Sequence, residues 1–333
     1  MIKRLFKIGL SICICALLSA GAGCAKKPAP KAPIKISINV WPGYAFAYLA
    51  QEKGFFKKNN VAVELILGET FSESMKFFTD GDVDGCFAVF ANIIMINANG
   101  IPARVVCIID YSNTGDVIIG RPQIQSLAGL KGKTVSFEGV NTFSQIFVLN
   151  ALEKAGLSAS DVRCANVKVF DVLTALEENR IDAGHTWEPV KSQALKKGYK
   201  ILAVAGDSPG IITDVLAFST GIIKERPDDI RAIVKSLFEA LDYLKGHRDE
   251  AVKIMADKMG MSAEEMVSGI EGVYQPDLNE NLSLLTTTTT TMPSLYNAGR
   301  FIADFYLHRG QLLHDVDIKE VIEPKFIEEL TNK

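Results

Sequence analysis

The sequence predicts an α/β fold of two lobes that are joined by two hinge crossovers and followed by a helical C-terminal tail. From residue 34 to residue 109, short β-rich segments alternate with helical ones, a rhythm typical of a mostly parallel sheet with helices on both faces. The rhythm restarts near residue 133, which indicates a second and smaller α/β unit. After residue 220 the pattern is almost wholly helical.

The first unit begins with Ile34-Lys-Ile-Ser-Ile-Asn-Val40, whose period-two alternation predicts a strand. Trp41-Pro-Gly-Tyr44 breaks this strand, and a helix is predicted over residues 46–53, where Gly54 ends it. The remaining elements of this unit are strands over residues 61–67, 84–89 and 105–109 and a helix over 71–79.

The second unit is predicted to contain strands over residues 133–137, 167–170, 181–185 and 199–204 and helices over 143–155 and 172–178. Helices over 230–245, 251–259, 263–273 and 295–308 form the tail, with the threonine run Thr286–Thr291 as a loop. If the tail folds back on the first unit, lobe 1 comprises residues 34–115 and 217–333, and lobe 2 comprises residues 116–216. The two crossovers then lie near residues 114–118 and 215–220 and act as a hinge.

The N-terminus has the pattern of a secretion signal over residues 1–23: basic residues, a short apolar run and small residues before Cys24. This pattern resembles a bacterial lipobox, although Gly21 stands where an aliphatic residue is usual. We therefore expect a lipid on Cys24, with ordinary signal-peptidase cleavage as the alternative. The proline-rich residues 24–33 favour an extended tether. Together these features predict an extracytoplasmic protein anchored to a membrane.

Composition and motifs exclude several functions. The formal net charge is −3 and no Lys/Arg block follows the tether, so nucleic-acid binding is not expected. The sequence lacks a G-x-S-x-G elbow, a P-loop and an H-E-x-x-H motif, and we find no context for a Ser-His-Asp arrangement. We expect no enzymatic activity, no cofactor and no metal site, and we expect a monomer.

An ordered set of motifs resembles periplasmic binding proteins for nitrate, sulfonates and taurine. The resemblance covers essentially all of the mature chain and implies a type II periplasmic binding protein fold that delivers a small-molecule solute to the permease and ATPase of an ABC importer. The motifs are Trp41-Pro-Gly-Tyr44, Leu49-Ala-Gln-Glu-Lys-Gly-Phe-Phe56, Gly81-Asp-Val-Asp-Gly85, Leu127-Ala-Gly-Leu-Lys-Gly-Lys133, Asn179-Arg-Ile-Asp-Ala-Gly184, Trp187-Glu-Pro189 and Thr213-Asp-Val-Leu216.

Relatives of this family include binders of thiamine pyrimidine precursors and an enzyme that makes that pyrimidine. The enzyme branch implies a cysteine-rich iron-binding motif, and the sequence has none.

Two groups of residues are predicted to bind the ligand, one contacting a flat ring and the other a cation. Trp41 and Tyr44 follow the first strand at the sheet edge where open α/β sheets bind ligands, although they could instead be a core aromatic pair. Asp116 lies on the first predicted crossover and Asp214 just before the second. The resemblance to taurine binders implies that these two acids hold an ammonium group, whereas the structural alternative is a pair of loop acids satisfied by backbone N–H groups or a lysine.

Two further groups are predicted in lobe 2. Asn141, Thr142 and Ser144 stand at a predicted helix start, where backbone N–H groups attract an anion, unless these residues only cap their own helix. Trp187 is expected to stack on the ligand and Glu188 to accept a hydrogen bond from it, whereas His185 is expected to be a packed or surface residue.

The preferred ligand is therefore an aminosulfonate of the taurine type. A pyrimidine or another small nitrogen heterocycle is the alternative ligand, and a ligand-sensing lipoprotein is the alternative function.

Overall fold

The computed structural model describes residues 31–288 and 294–332. The predicted signal peptide, Cys24 and most of the tether lie outside the described residues, as does half of the threonine run. The description below therefore concerns the unit from Pro33 onward. Within it, no helix of the described residues is long and apolar enough to cross a bilayer.

The described residues form eleven strands and fifteen helices. The strands are β1 (Ile34–Asn39), β2 (Val63–Gly68), β3 (Gly85–Val89), β4 (Ala103–Ser112), β5 (Val117–Gly120), β6 (Thr134–Phe137), β7 (Arg163–Asn166), β8 (Ala183–Thr186), β9 (Lys200–Val204), β10 (Thr213–Ser219) and β11 (Val273–Tyr274). The helices are α1 (Phe46–Glu52), α2 (Phe55–Lys58), α3 (Phe71–Thr79), α4 (Phe90–Ala98), α5 (Phe143–Lys154), α6 (Val172–Glu177), α7 (Val190–Lys196), α8 (Thr220–Glu225), α9 (Pro227–Gly246), α10 (Arg248–Met259), α11 (Ala263–Glu271), α12 (Leu278–Thr286), α13 (Leu295–His308), α14 (Ile318–Val321) and α15 (Lys325–Thr331).

The strands form two sheets, which confirms the predicted α/β class with a helical C-terminal region. The first sheet has the order β11-β4-β10-β3-β1-β2 and the second the order β7-β6-β8-β5-β9. The prediction of a mostly parallel first sheet is wrong for one half of it, because β10 runs antiparallel to both β3 and β4. The physical reason is that β4 leaves the first sheet toward the second, so the strand that returns beside it runs in the opposite direction.

The chain passes from the first sheet to the second between β4 and β5, over residues 113–116, and returns between β9 and β10, over residues 205–212. Two details of the predicted crossovers need correction. Asp214 lies inside β10 rather than before a crossover, and residues 215–220 complete that strand and begin α8. The predicted strand over residues 167–170 is also wrong: the strand β7 precedes it, and Val169–Asp171 form a 3₁₀ turn.

The ends of the strands determine where functional side chains can lie. β1 and β3 are parallel and end near one edge of the first sheet, where the 3₁₀ turn Pro42–Tyr44 follows β1. The strands β4 and β10 place their residues 110 and 214 opposite each other close to the same edge. Both crossing segments leave from this edge, so the turn, the two strands and the second sheet meet there.

Candidate binding site between the two sheets

A small cavity lies where the two sheets meet. Its volume is about 10 Å³, roughly that of one water molecule. Five of the predicted site residues line it: Trp41, Tyr44, Asp116, Trp187 and Asp214. The other residues that line it are Asn39, Phe71, Val89, Phe143 and Ile212.

The turn after β1 supplies an indole and a phenol that both donate to acids. Trp41 Nε1 donates to Asp110 Oδ2 over 3.0 Å, and the Tyr44 hydroxyl donates to Asp214 Oδ1. Gly43 allows this approach, because a Cβ atom there would lie 1.9 Å from Asp110 Oδ2 and 2.5 Å from Trp41 Nε1. The turn sequence therefore serves to bring two neutral donors against two buried carboxyl groups.

Asp110 and Asp214 are direct partners on the antiparallel strands β4 and β10. Their exposed fractions are 0% and 2%, so both carboxyl groups are out of water. Burial raises the pKa of Asp110 to about 7 and raises the pKa of Asp214 well above its usual range, where the charge of Asp110 adds to the effect. Burial beside Asp214 also raises the pKa of Tyr44 well above 10. The cavity edge therefore holds acids whose negative charge is poorly compensated.

Asp116 is held by a different kind of partner. His185 Nε2 lies 2.8 Å from Asp116 Oδ1, and His185 Nδ1 lies 2.7 Å from the Ser144 hydroxyl oxygen. Ser144 in turn accepts the backbone N–H of Glu138 over 2.9 Å, so its own hydrogen is free to point at Nδ1. This pattern fits the imidazole tautomer with its hydrogen on Nε2, which donates to Asp116.

This hydrogen-bonded chain of Ser144, His185 and Asp116 was not predicted from the sequence, which offers no local context for it. Ser144 is fully buried and does not line the cavity. Its hydroxyl already accepts a backbone N–H. The arrangement therefore orients the carboxyl group of Asp116 and does not present a nucleophile to a solute.

Aromatic rings close the rest of the cavity. The rings of Trp41 and Trp187 meet edge to face, with centroids 5.9 Å apart, and Phe143 lies 6.1 Å from Trp187. Phe71 contacts Phe143 with a centroid distance of 4.9 Å. Trp187 Nε1 donates to the carbonyl of Val40 over 3.0 Å, which ties the second sheet to the end of β1. Flat apolar walls therefore surround the acids.

The predicted anion site at the start of α5 is occupied by protein contacts. Thr142 caps the helix by accepting from the Gln145 N–H, and its hydroxyl donates to the carbonyl of Glu138 over 2.7 Å. The N–H of Phe143 donates to Asn92 Oδ1 over 3.2 Å. Asn141 has φ = 64° and accepts at Oδ1 from Gln311, so it stands at the turn and away from the cavity.

Glu188 is also placed away from the cavity. Its carboxylate lies 3.0 Å from Lys191 Nζ and accepts from the hydroxyls of Ser192 and Ser268. Lys191 Nζ also donates to the carbonyl of Thr114, on the first crossing segment. Glu188 and Lys191 are both buried, so this pair is fully used inside the protein.

The residues that sequence reasoning missed are Asp110, Asn39, Phe71, Phe143 and, as a partner of Asp116, His185. Asp110 did carry a signal, because an acid at the end of the apolar run Val105–Ile109 is out of place in a buried strand. The aromatic residues carried none, since a phenylalanine at a helix start reads equally well as core.

A wider groove of about 730 Å³ lies between α7 and the helices α10 and α11. Its charged residues include both signs, and several pair with each other or with neighbours, such as Arg248 with Glu271 and Lys253 with Asp257. The groove is open and its charges are compensated by one another, so the smaller cavity is the better candidate for specific binding. No cluster of His, Cys, Asp and Glu among residues 31–288 and 294–332 could hold a metal ion.

The fold is similar to that of solved binding proteins. The alkanesulfonate-binding protein SsuA from Xanthomonas axonopodis pv. citri has a TM-score of 0.72 at 16% identity, with 89% of this chain and 99% of that chain covered. The nitrate-binding protein NrtA from Synechocystis PCC 6803 has a TM-score of 0.72 at 13% identity, with 90% and 88% covered. At these identities the similarity shows the periplasmic binding protein fold, as the sequence predicted.

The sequence is also similar to an enzyme, the 4-amino-5-hydroxymethyl-2-methylpyrimidine phosphate synthase THI11 of Saccharomyces cerevisiae. It is 24% identical over 255 residues, which cover 71% of this chain and 68% of that protein. A family model described as NMT1/THI5 like matches residues 41–251. Because that match spans more than half of the 333 residues, the chain belongs to the NMT1/THI5-like family.

Proposed function

We propose that this protein is the extracytoplasmic solute-binding component of an ABC importer and that it takes a small solute with a protonated nitrogen. The observation that carries the proposal is the cavity between the two sheets, which Asp116 and Asp214 line without a Lys or Arg among the described residues that form it. Solved proteins of the same fold are binders of an alkanesulfonate and of nitrate, which supports the general role.

The electrostatics of the cavity favour a cation. Buried carboxyl groups without cationic partners are costly, and a positively charged ligand relieves that cost. Asp110 and Asp214 receive one neutral donor each, from Trp41 and Tyr44. A protonated amine or ring nitrogen can donate to Asp116 and Asp214, which line the cavity, whereas nitrate or a simple sulfonate would add a negative charge beside them.

Two ligand classes fit a cation. A taurine-like aminosulfonate, the preferred ligand from the sequence, needs donors for its sulfonate, and the hydroxyls of Thr142 and Ser144 are already engaged. A small nitrogen heterocycle of the pyrimidine class needs flat apolar walls, and Trp41 and Trp187 offer them. We therefore place the heterocycle first and the aminosulfonate second.

Binding needs the sheets to separate, because the cavity is far smaller than either ligand. The two crossing segments, residues 113–116 and 205–212, are the natural hinge. Contacts across the cleft would break on opening: Ser72 donates to Glu138 over 3.0 Å, and Ser268 donates to Glu188 over 2.7 Å. We assign residues 34–115 and 217–333 to one moving lobe and residues 116–216 to the other.

The membrane attachment completes this role. A signal peptide over residues 1–23 and a lipid on Cys24 would tether a monomer near its permease and ATPase. Labelling the intact cells with a fatty-acid probe should mark the protein, and Cys24→Ala should release it into the soluble fraction. Release of the unchanged protein without any label would reject the anchor. A neighbouring permease and ATPase gene pair distinguishes an importer from a ligand-sensing lipoprotein.

A thermal-shift screen tests the ligand class, because a solute that binds only the folded protein raises its melting temperature. The panel contains 4-amino-5-hydroxymethyl-2-methylpyrimidine, other aminopyrimidines, taurine, methanesulfonate and nitrate. We expect a response to the aminopyrimidines, a smaller one to taurine and none to the two simple anions. A response to methanesulfonate or nitrate without any response to the amines would contradict the proposal.

The variants Asp116→Asn and Asp214→Asn extend this screen. Both should abolish the response to cationic ligands, whereas Asp257→Asn, the same chemical change at an exposed position of α10, should leave it intact. Equal responses in all three variants would show that the ligand binds somewhere other than this cavity.

A further inference from the structure

Two buried carboxyl groups lie opposite each other on the paired strands β4 and β10. Asp110 and Asp214 are direct cross-strand partners, so their side chains project from the same face of the sheet. Like charges directly opposite each other on adjacent strands destabilise a sheet. Asp110 Oδ1 is buried and has no hydrogen-bond donor in the part of the chain that the structure describes. A proton shared with the second carboxyl group would give this oxygen the donor that it lacks.

The groups that face the pair offer no positive charge. On the turn after β1, Trp41 Nε1 and the Tyr44 hydroxyl each donate to one carboxyl group. From the first crossing segment, Asp116 adds a third acid, and His185 on β8 is engaged with that acid rather than with the pair. Neither Asp110 nor Asp214 forms an ion pair within the described ranges 31–288 and 294–332.

We infer that Asp110 and Asp214 hold one proton between them at neutral pH and act as a single carboxyl pair. This makes Asp110 a specificity-determining residue of the site, although only Asp214 lines the cavity. The inference rests on the proposed function only in naming the solute as the group that the pair meets.

Electrostatics supports one shared proton over two negative charges. Desolvation raises the pKa of both acids, to about 7 for Asp110 and well above the usual range for Asp214. The interaction between the two groups acts in opposite directions, lowering the pKa of Asp110 and raising that of Asp214. This is the behaviour of two carboxyl groups too close to ionise together.

The shared proton has a consequence for the solute. A protonated nitrogen brings its own N–H donors to Asp214, the member of the pair that lines the cavity, so the shared proton is no longer needed and leaves as the solute binds. The site then exchanges a proton for a cation. A neutral or anionic solute offers no such exchange, because it brings no positive charge that could replace the shared proton. The pair therefore selects for positive charge.

The experiment uses the ligand-free protein, so it does not depend on the identity of the solute. Aspartate labelled with ¹³C at the side-chain carboxyl carbon is incorporated, and the signals of the pair are assigned from Asp110→Asn and Asp214→Asn. We expect one carboxyl group of the pair to stay protonated at neutral pH. Its apparent pKa should lie at least about two units above that of an aspartate in the unfolded chain. We also expect Asp110→Asn to move the titration of Asp214 to lower pH, since an amide replaces a competing acid.

Asp257→Asn is the control and should leave both titrations unchanged. Titration of both acids below about pH 5, or an Asp214 titration that ignores Asp110→Asn, would overturn the inference. If one single variant fails to fold, the other still reports on the remaining acid. A shared proton in a protein that binds none of the amines would instead leave the pair intact and reject the proposed ligand class, so the two failures are distinguishable.

Discussion

The buried acids on the two sides of the cleft have opposite surroundings. On the side of the first sheet, Asp110 and Asp214 face each other and receive only neutral donors. On the side of the second sheet, Glu188 has the ammonium group of Lys191 at 3.0 Å, with Ser192 and other hydroxyl donors around it. Both sets are almost completely buried, so exposure does not distinguish them.

The difference lies in compensation. A buried acid that has a cationic partner and several donors is complete within the protein and contributes to its structure. A buried acid without a cation is costly in the ligand-free protein and is relieved by a cation from outside. Burial and charge type alone, which the sequence indicates roughly, cannot separate these two cases. The following changes test the contrast, beginning with the largest expected effect.

Lys191→Met should strongly destabilise the protein. The substitution leaves Glu188 buried without its cation, and breaking such a pair costs about 3–5 kcal/mol of the free energy of unfolding. Urea unfolding at neutral pH measures the loss. Lys197→Met is the matched control, because the pair between Lys197 and Glu177 is exposed and should cost about 1 kcal/mol or less. A loss as small as that of the control would show that Lys191 does not compensate the buried negative charge of Glu188.

Asp110→Asn should have the opposite effect, and the effect should depend on pH. Because the pKa of Asp110 is raised to about 7, the native protein keeps its proton between about pH 4 and pH 7. The unfolded chain has already released this proton near pH 4. The contribution of Asp110 to the free energy of unfolding therefore falls as pH rises through that window and changes no further above it. The variant has no such proton to lose.

The quantity to measure is the difference between the variant and the unmodified protein in free energy of unfolding, taken from urea curves at about pH 4.5 and about pH 8. Between these two pH values, we expect the free energy of unfolding of Asp110→Asn to rise by roughly 2–4 kcal/mol relative to that of the unmodified protein. Asp257→Asn should give no such trend. A difference that is constant with pH would show that Asp110 titrates normally and that the contrast between the two sides of the cleft is wrong.

Asp214→Asn should weaken binding of an aminopyrimidine about 100-fold, or about 2.7 kcal/mol, because a charge-assisted hydrogen bond becomes a neutral one. Isothermal titration calorimetry measures the change, and the affinity for an uncharged analogue of similar shape should stay within about threefold. Glu188→Gln should leave both affinities unaltered, since Glu188 does not line the cavity. Equal loss in Asp214→Asn and Glu188→Gln would remove the distinction between the two acids.

The parts of the fold that depend on local pattern were predictable. The alternation after residue 34 gave β1, and helical spacing gave α13 with the observed bounds Leu295–His308. Trp41 and Tyr44 were placed at the sheet edge because a turn follows a parallel strand there, and both line the cavity. Asp116 and Asp214 also line it, although the interpretation of Asp214 as a crossover residue was wrong.

The features that the local pattern could not indicate depend on contacts between residues far apart in the sequence. The strand β10 was missed because its residues are continuous with the return crossing, and only its pairing with β3 and β4 defines it. The helix start at Thr142 was predicted to bind an anion, and a sequence cannot show that Asn92, 51 residues before Phe143, accepts the N–H of Phe143. Likewise nothing near Glu188 in the sequence indicates that Ser268 donates to it.

Ser144→Ala should produce the smallest of the expected effects and separates orientation of an acid from direct binding. The variant leaves the Glu138 N–H and His185 Nδ1 without their common partner, which should cost about 1–2 kcal/mol of the free energy of unfolding. Because His185 then loses its fixed orientation, Asp116 should bind an aminopyrimidine less well, by up to about tenfold in affinity, or 1.4 kcal/mol.

Ser192→Ala is the matched change on the other side of the comparison. It removes one donor from Glu188, which keeps Lys191 and Ser268, so the affinity should not change. An affinity loss in Ser144→Ala that exceeds that of Asp214→Asn would mean that Ser144 itself contacts the solute after the lobes open. In that case the helix start would belong to the site, and an aminosulfonate would replace the heterocycle as the better ligand.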